Sequence, residues 1–235
     1  MESEWIPHIF VMCHPQYEAA RYNFLQSHFK KRGIPKEKIH YVWTLWGHEL
    51  TPELVSKLYD PFRHRFGIKH NLSQQSTALS RGELSLMLTF REVMRQVLEG
   101  GYDHVIVFES DVVLRDDFLP RLKDVLIDAA GKTWDYISLG EGVGTRPHEL
   151  AFSTYFTESK LYKPPHQWVF RCCDSMLLHR GFLEKVSNTF LPCRECLDWE
   201  MNVQAMIHRA TCWWADPPLA EPSTGRHRYM TSLPT

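Results

Sequence analysis

The sequence predicts an α/β domain built on a mostly parallel central sheet with helices on its faces. Apolar runs alternate with amphipathic helical stretches through the first 140 residues, the signature of βαβ units. The run His104-Val105-Ile106-Val107-Phe108 has no polar alternation, as expected of a strand buried on both faces. With 235 residues, 43% of them hydrophobic and 23% charged, the chain can build one large core. A chain of this size buries roughly 70–75% of its unfolded surface and needs no disulfide staples.

Each element has its own local reason. Ile9 to Cys13 is a short apolar run stopped by His14-Pro15, which reads as a buried strand. Residues 17–32 carry Ala20, Phe24 and Leu25 at helical spacing, with Gly33 as the stop. Ile39 to Leu45 is β-branched and aromatic, hence a second strand. Thr51-Pro52-Glu53 opens a short helix with a capping hydroxyl and an early proline. Residues 60–79 show no period and are predicted to be a long loop able to order over a ligand. Ser80-Arg81-Gly82-Glu83 has capping-box spacing before Leu84, Met87, Leu88, Met94, Val97 and Leu98, and Gly100-Gly101 ends that helix. Asp116 or Asp117 caps another helix to Ala130, and Tyr136 to Leu139 is the next strand. Beyond residue 145 the pattern loosens to a strand pair over 168–178, a helix from Leu197 and a last strand over 211–215.

Charge and composition narrow the function classes. There are 27 basic and 28 acidic side chains, a net charge of −1, and no block of like charges. Nucleic-acid binding driven by counterion release usually needs a basic excess, so no nucleic-acid partner is expected. No window has the roughly 18 consecutive apolar residues of a membrane span. The opening Met1-Glu2-Ser3-Glu4-Trp5 lacks the basic and apolar regions of a secretory leader. Six irregularly spaced cysteines read as reduced thiols, so a cytoplasmic protein is expected. Cys193-Arg194-Glu195-Cys196 has zinc-like spacing but no second pair, and chance is the better reading.

In an open α/β sheet the ligand lies beyond the carboxyl ends of the strands, where Glu109-Ser110-Asp111 follows the central run. In extended chain, residues two apart point the same way, so both carboxylates can face one ligand. Two hard oxygen donors suit Mn²⁺ or Mg²⁺ completed by a diphosphate; a plain turn after a strand is the bland alternative. Trp43 and Trp46 read as core or cleft wall, and Gly47-His48 as a possible nucleotide contact. The run Gly140-Glu141-Gly142-Val143-Gly144 follows a strand but opens no helix, so it fails as a dinucleotide fingerprint. It still lets backbone approach a sugar, with Glu141 against an acceptor.

The stretches Arg81-Gly82-Glu83-Leu84-Ser85-Leu86, Phe90-Arg91-Glu92-Val93 and Val105 to Val112, with Trp134 to Gly140, resemble glycosyltransferase family 25. Ser175 to Leu178, Asp198, Glu200 and Pro217-Pro218-Leu219 follow that family's order. The resemblance is densest over 80–142. It implies a GT-A fold, Rossmann-like and single-domain, with a nucleotide-sugar-binding half over 1–145 and an acceptor-binding half over 146–235. It further implies inverting, Mn²⁺- or Mg²⁺-dependent transfer of a hexose, galactose or glucose, from a UDP-sugar to a glycan or protein hydroxyl. The donor would meet His14, Arg21, Gly47, His48, Arg81, Glu109, Ser110 and Asp111. Glu109 and Asp111 would serve the metal; read from the residues themselves, His227 is a late metal ligand, a diphosphate contact or part of a solvated basic tail, and Glu141 and Trp199 are acceptor contacts. Asp198, or failing it Glu200, would be the base that inverting transfer needs. The chain departs from the family in having Glu-Ser-Asp where two consecutive Asp residues are more usual, and His14-Pro15-Gln16 in place of an Arg-rich loop. Those departures leave open a catalytically silent domain that binds carbohydrate or a partner, and a divalent-metal phosphotransferase on a similar sheet.

Overall fold

A computed structural model describes residues 4–60, 79–140, 160–164 and 172–223. The chain opens on β1 (His8–Met12), crosses by α1 (Ala19–Lys31) to β2 (Ile39–Val42), and passes α2 (Pro52–Leu58) and α3 (Arg81–Gly100) to β3 (His104–Glu109). Next come β4 (Val112–Leu114), α4 (Phe118–Ala130), β5 (Tyr136–Ser138) and β6 (Leu161–Tyr162). They are followed by β7 (Ser175–His179), α5 (Arg180–Ser187), α6 (Leu197–Ile207), β8 (Cys212–Ala215) and β9 (Ala220–Pro222). Among the described residues, seven strands form one sheet in the order β2-β1-β3-β7-β5-β8-β6, and β4 pairs with β9 in a separate ribbon.

The result is a single α/β domain, but the sheet is mixed. β1 runs parallel to β2 and β3, and β5 parallel to β8. β7 runs antiparallel to both β3 and β5, and β6 antiparallel to β8. This corrects the mostly parallel, Rossmann-like sheet expected above. The reason is that Ser175–His179 is apolar and buried like β3, and burial on both faces carries no information about strand direction. Its direction is set where it ends: the Arg180 amide, first in α5, donates to the Asp103 carbonyl at the start of β3.

The double burial of β3 divides the core in two. Val105 and Val107 point into a layer with Met87, Phe90 and Val93 of α3 and Phe182 of α5. Ile106 and Phe108 point into the other, with Leu25 and Phe29 of α1 and Phe118 and Leu122 of α4. Each such side chain removed from water contributes about 1.5–3 kcal/mol, so the strand is held from both sides. α3 starts where its capping box predicts: the Glu83 amide donates to Ser80 Oγ at 3.2 Å, and the Ser80 amide to Glu83 Oε2 at 2.7 Å. It stops at Gly101, whose φ of +70° is the left-handed cap that glycine adopts without a steric penalty. Asp117 does precede α4, yet its side chain pairs with Arg121 and makes no cap bond. The expected strand over 168–178 lies partly outside the described residues, and Cys172 and Cys173 precede β7 in a turn.

The ribbon of β4 and β9 is tied to α1 by His28, whose Nε2 accepts the Leu114 amide at 2.9 Å. That bond needs an unprotonated nitrogen. Burial first, then the charges of Arg32 and Lys31, hold the imidazole pKa down at about 4 from its ordinary 6.5. Between these values the unfolded chain takes up a proton that the folded chain excludes, so stability is full above pH 6.5 and is lost as pH falls toward 4. Urea midpoints measured across that window should fall for the wild-type chain, and fall less for His28→Gln.

Candidate functional site

The site follows from the order of the first three strands. From β1 the chain crosses one face of the sheet by α1 to reach β2, then returns over the opposite face by α3 to reach β3 on the other side of β1. The connections after neighbouring strands therefore part at their carboxyl ends, and a crevice opens there. It is a cleft of about 270 Å³. β1 supplies its wall with Met12, Cys13 and His14, β2 with Val42, Trp43, Thr44, Trp46 and Gly47, and β3 with Glu109, Ser110 and Asp111. Gly82, Ser85, Leu86 and Thr89 of α3 and Glu18 and Arg21 at the start of α1 close it.

The tryptophan segment after β2 is pinned to α3. Ser85 Oγ donates to the Leu45 carbonyl at 2.7 Å, and the Thr44 and Thr89 hydroxyls lie 3.0 Å apart. Gly47 packs so closely on the start of α3 that an added Cβ would sit 3.1 Å from the Arg81 carbonyl carbon. These contacts hold the backbone of the segment whose Trp43 and Trp46 line one wall of the cleft. Hydroxyls buried on one helix face were the available sequence signal for this, and helical spacing alone did not single them out.

The floor is acidic. Arg21 Nη1 donates to Ser110 Oγ at 2.8 Å and pairs with Glu18 at 3.3 Å, while Ser110 Oγ donates to Glu18 Oε1 at 2.5 Å. The guanidinium that lines the cleft is thus balanced by a carboxylate of its own helix turn. Glu109 is largely surrounded by protein, and its pKa is raised by burial first and then by the charges of Asp198, Asp111 and Asp174. Burial also raises that of Asp198, against the Cys173 amide that donates to its Oδ1 at 2.9 Å. Asp174 is held against Gly140, where an added Cβ would lie 2.2 Å from Oδ2. Asp174 was not anticipated as part of this group; it joins only because β7 is inserted antiparallel beside β3.

Most of the expected ligand contacts come together: His14, Arg21, Gly47, Glu109, Ser110 and Asp111 all line the cleft. His14 Nδ1 accepts the Gln16 and Tyr17 amides at 3.2 Å, shaping the turn into α1. The chain turns at Ser110, so extended alternation does not govern Glu109 and Asp111; the turn itself brings all three residues to the cleft. His48 stands outside, with its Nε2 3.3 Å from the Tyr17 hydroxyl. Arg81 is exposed and donates to the Leu50 carbonyl at 2.8 Å. Glu200 is sequestered away from the cleft. Its carboxylate accepts the Arg194 amide at 3.0 Å and Gln204 Nε2 at 2.8 Å, and pairs with the buried Arg194 guanidinium at 3.3 Å. Trp199 is partly exposed on α6 and lines no part of the cleft. Glu141 and His227 lie outside the described residues, as does most of the expected loop over 60–79.

Of the expected Mn²⁺ or Mg²⁺ ligands, Glu109 and Asp111 meet at the cleft, and His227 lies outside the described residues. Among the described residues, no three His, Cys, Asp or Glu side chains form a group that could hold a metal ion. No protein-family model matches the chain. Similarity to individual proteins does exist. Inactive glycosyltransferase 25 family member 3 of Mus musculus is 26% identical over 130 residues, covering 50% of this chain and 22% of that protein. Probable inactive glycosyltransferase 25 family member 3 of Rattus norvegicus is 24% identical over 128 residues, with the same shares. The relationship is distant and glycosyltransferase 25-like.

The chain thus matches about a fifth of each glycosyltransferase 25 relative's length, and both relatives are named as inactive. Together with the absence of a three-ligand metal group among the described residues, this corrects the expectation of active, metal-dependent hexosyl transfer. A UDP-sugar donor and a hydroxyl acceptor as its reactants fall with it. Among the described residues no helix is long and apolar enough to cross a membrane. All six cysteines are free thiols.

Two stability measurements check these placements. Glu109 binds more protons folded than unfolded, so its contribution falls as pH rises past its ordinary 4.5. Glu109→Gln should therefore raise the urea midpoint at neutral pH. Glu200→Ala should lower stability by about 3–5 kcal/mol, because it strands a buried guanidinium.

Proposed function

We propose that this chain is a catalytically silent, glycosyltransferase 25-like domain whose cleft binds carbohydrate. The observation that carries the reading is the pairing of two indoles on one wall with carboxylates on the floor. Indole faces suit the apolar C–H faces of a sugar ring, and carboxylate oxygens accept from its hydroxyls in pairs. A diphosphate is a poor match for the same cleft. Its charge would meet Glu109 and Asp111 with no metal-ligand group among the described residues, and with Arg21 already balanced by Glu18. An uncharged polyhydroxy ligand avoids that repulsion. The division at residue 145 keeps every lining residue in the first half of the chain, so that half is the carbohydrate-binding one in this reading.

Titration with a panel of neutral saccharides, read by the fluorescence of the cleft tryptophans and by calorimetry, tests the proposal. Saturable binding that Trp43→Ala weakens at least about tenfold supports it, since that residue's ring is the exposed part of the wall. Incubation with UDP-sugars and Mn²⁺ should release no UDP beyond the protein-free control. Steady, protein-dependent release would overturn the silent assignment.

A further inference from the structure

The cleft and its rim are two different surfaces. The cleft, at about 270 Å³, is just below the roughly 300 Å³ at which pockets for drug-sized ligands begin, so it has room for one sugar ring. A longer ligand has to leave over the rim, and the rim is aromatic. Tyr17 is 47% exposed and lies outside the cleft wall. Its ring centroid is 4.4 Å from that of His14 and 5.3 Å from that of Trp46. His48 meets it edge-on at 5.2 Å and shares the 3.3 Å hydrogen bond with its hydroxyl. An exposed tyrosine would ordinarily sample several rotamers. This one is braced on several sides while nearly half of it stays exposed, which lowers the ordering cost of anything that packs on it.

Resting on the carbohydrate reading, we infer that the ligand is a neutral glycan of at least two linked sugars, with one ring in the cleft and the next on Tyr17. His48 is then a positioning residue: it acts through Tyr17 and touches no sugar itself. Neutrality follows from the lining, because the Asp111 and Glu109 side chains on the floor disfavour a uronate in the first position and the lining guanidinium is paired with Glu18. The rim explains why an aromatic surface of this size faces water beside a polar cleft, which packing of the domain alone does not require.

The test is chain-length dependence. Glucose, cellobiose and cellotriose, galactose and lactose, and maltose and maltotriose are titrated against the full chain, with glucuronate as the charged control. In the series that fits, affinity should rise about threefold to tenfold from monosaccharide to disaccharide. Tyr17→Ala should erase that gain, judged as the disaccharide-to-monosaccharide affinity ratio of the same variant, while Tyr17→Phe keeps the stacking face and most of the gain. His48→Ala should reduce the gain, and His48→Gln, which can still reach the hydroxyl, should restore it. Equal affinity for monosaccharide and disaccharide, or a gain that survives Tyr17→Ala, overturns the two-ring inference and leaves the carbohydrate reading standing. Glucuronate binding as well as glucose overturns the neutrality part. Failure of every neutral sugar to bind overturns both readings.

Discussion

The placement of β1 between two parallel neighbours, one reached over each face of the sheet, is the constraint on which the rest of the structure depends. Parallel strands need crossovers, and crossovers over opposite faces pull the chain apart at one point along the sheet edge. The cleft is the consequence. It holds at that position because β1 and β3 are packed from both sides, so neither strand can slide to close the gap without exposing an apolar layer.

Electrostatics then decides what such a cleft can hold. Carboxylates from a turn (Asp111), the bend before an antiparallel strand (Asp174) and a helix start (Asp198) gather around Glu109 at its strand end, and after burial their charges raise the cost of ionising it. An enzyme working on diphosphates offsets such a cluster with a divalent ion, and the described residues provide no three-ligand group for one. The cation that does line the cleft, Arg21, is tied to Glu18 and Ser110. What remains is a polar cleft with aromatic walls that suits neutral hydroxylated ligands better than anions.

Local signals in the sequence proved reliable where the physics is local. The capping box at Ser80 and the glycine stop at Gly101 depend on a few neighbouring residues and stand where the pattern put them. The apolar run at β3 could be recognised as doubly buried for the same reason. β7 has an equally plain apolar run, yet its antiparallel direction depends on a contact between Arg180 and Asp103, 77 residues apart in sequence (180 − 103), and no periodicity encodes that. Asp198 and Glu200 illustrate the same limit within one helix turn. Their spacing suggested shared chemistry, but two residues along a helix face different ways. One reaches the Cys173 amide and the charge field of Glu109, the other a buried arginine.

The sequence by itself determined the α/β class, the β1–β3 framework and the Glu109-Ser110-Asp111 strand end that lines the cleft, because strand ends and helix caps are written in neighbouring side chains, while His14 and Arg21 came from the family resemblance. Only the tertiary structure decided the mixed sheet, the membership of Asp174 in the acidic group, the neutralisation of Arg21 and the withdrawal of Glu200 into the core. Those features rest on contacts between segments far apart in the chain. Burial and pairing there, rather than residue type, set whether a carboxylate is a ligand, a base or a structural ion.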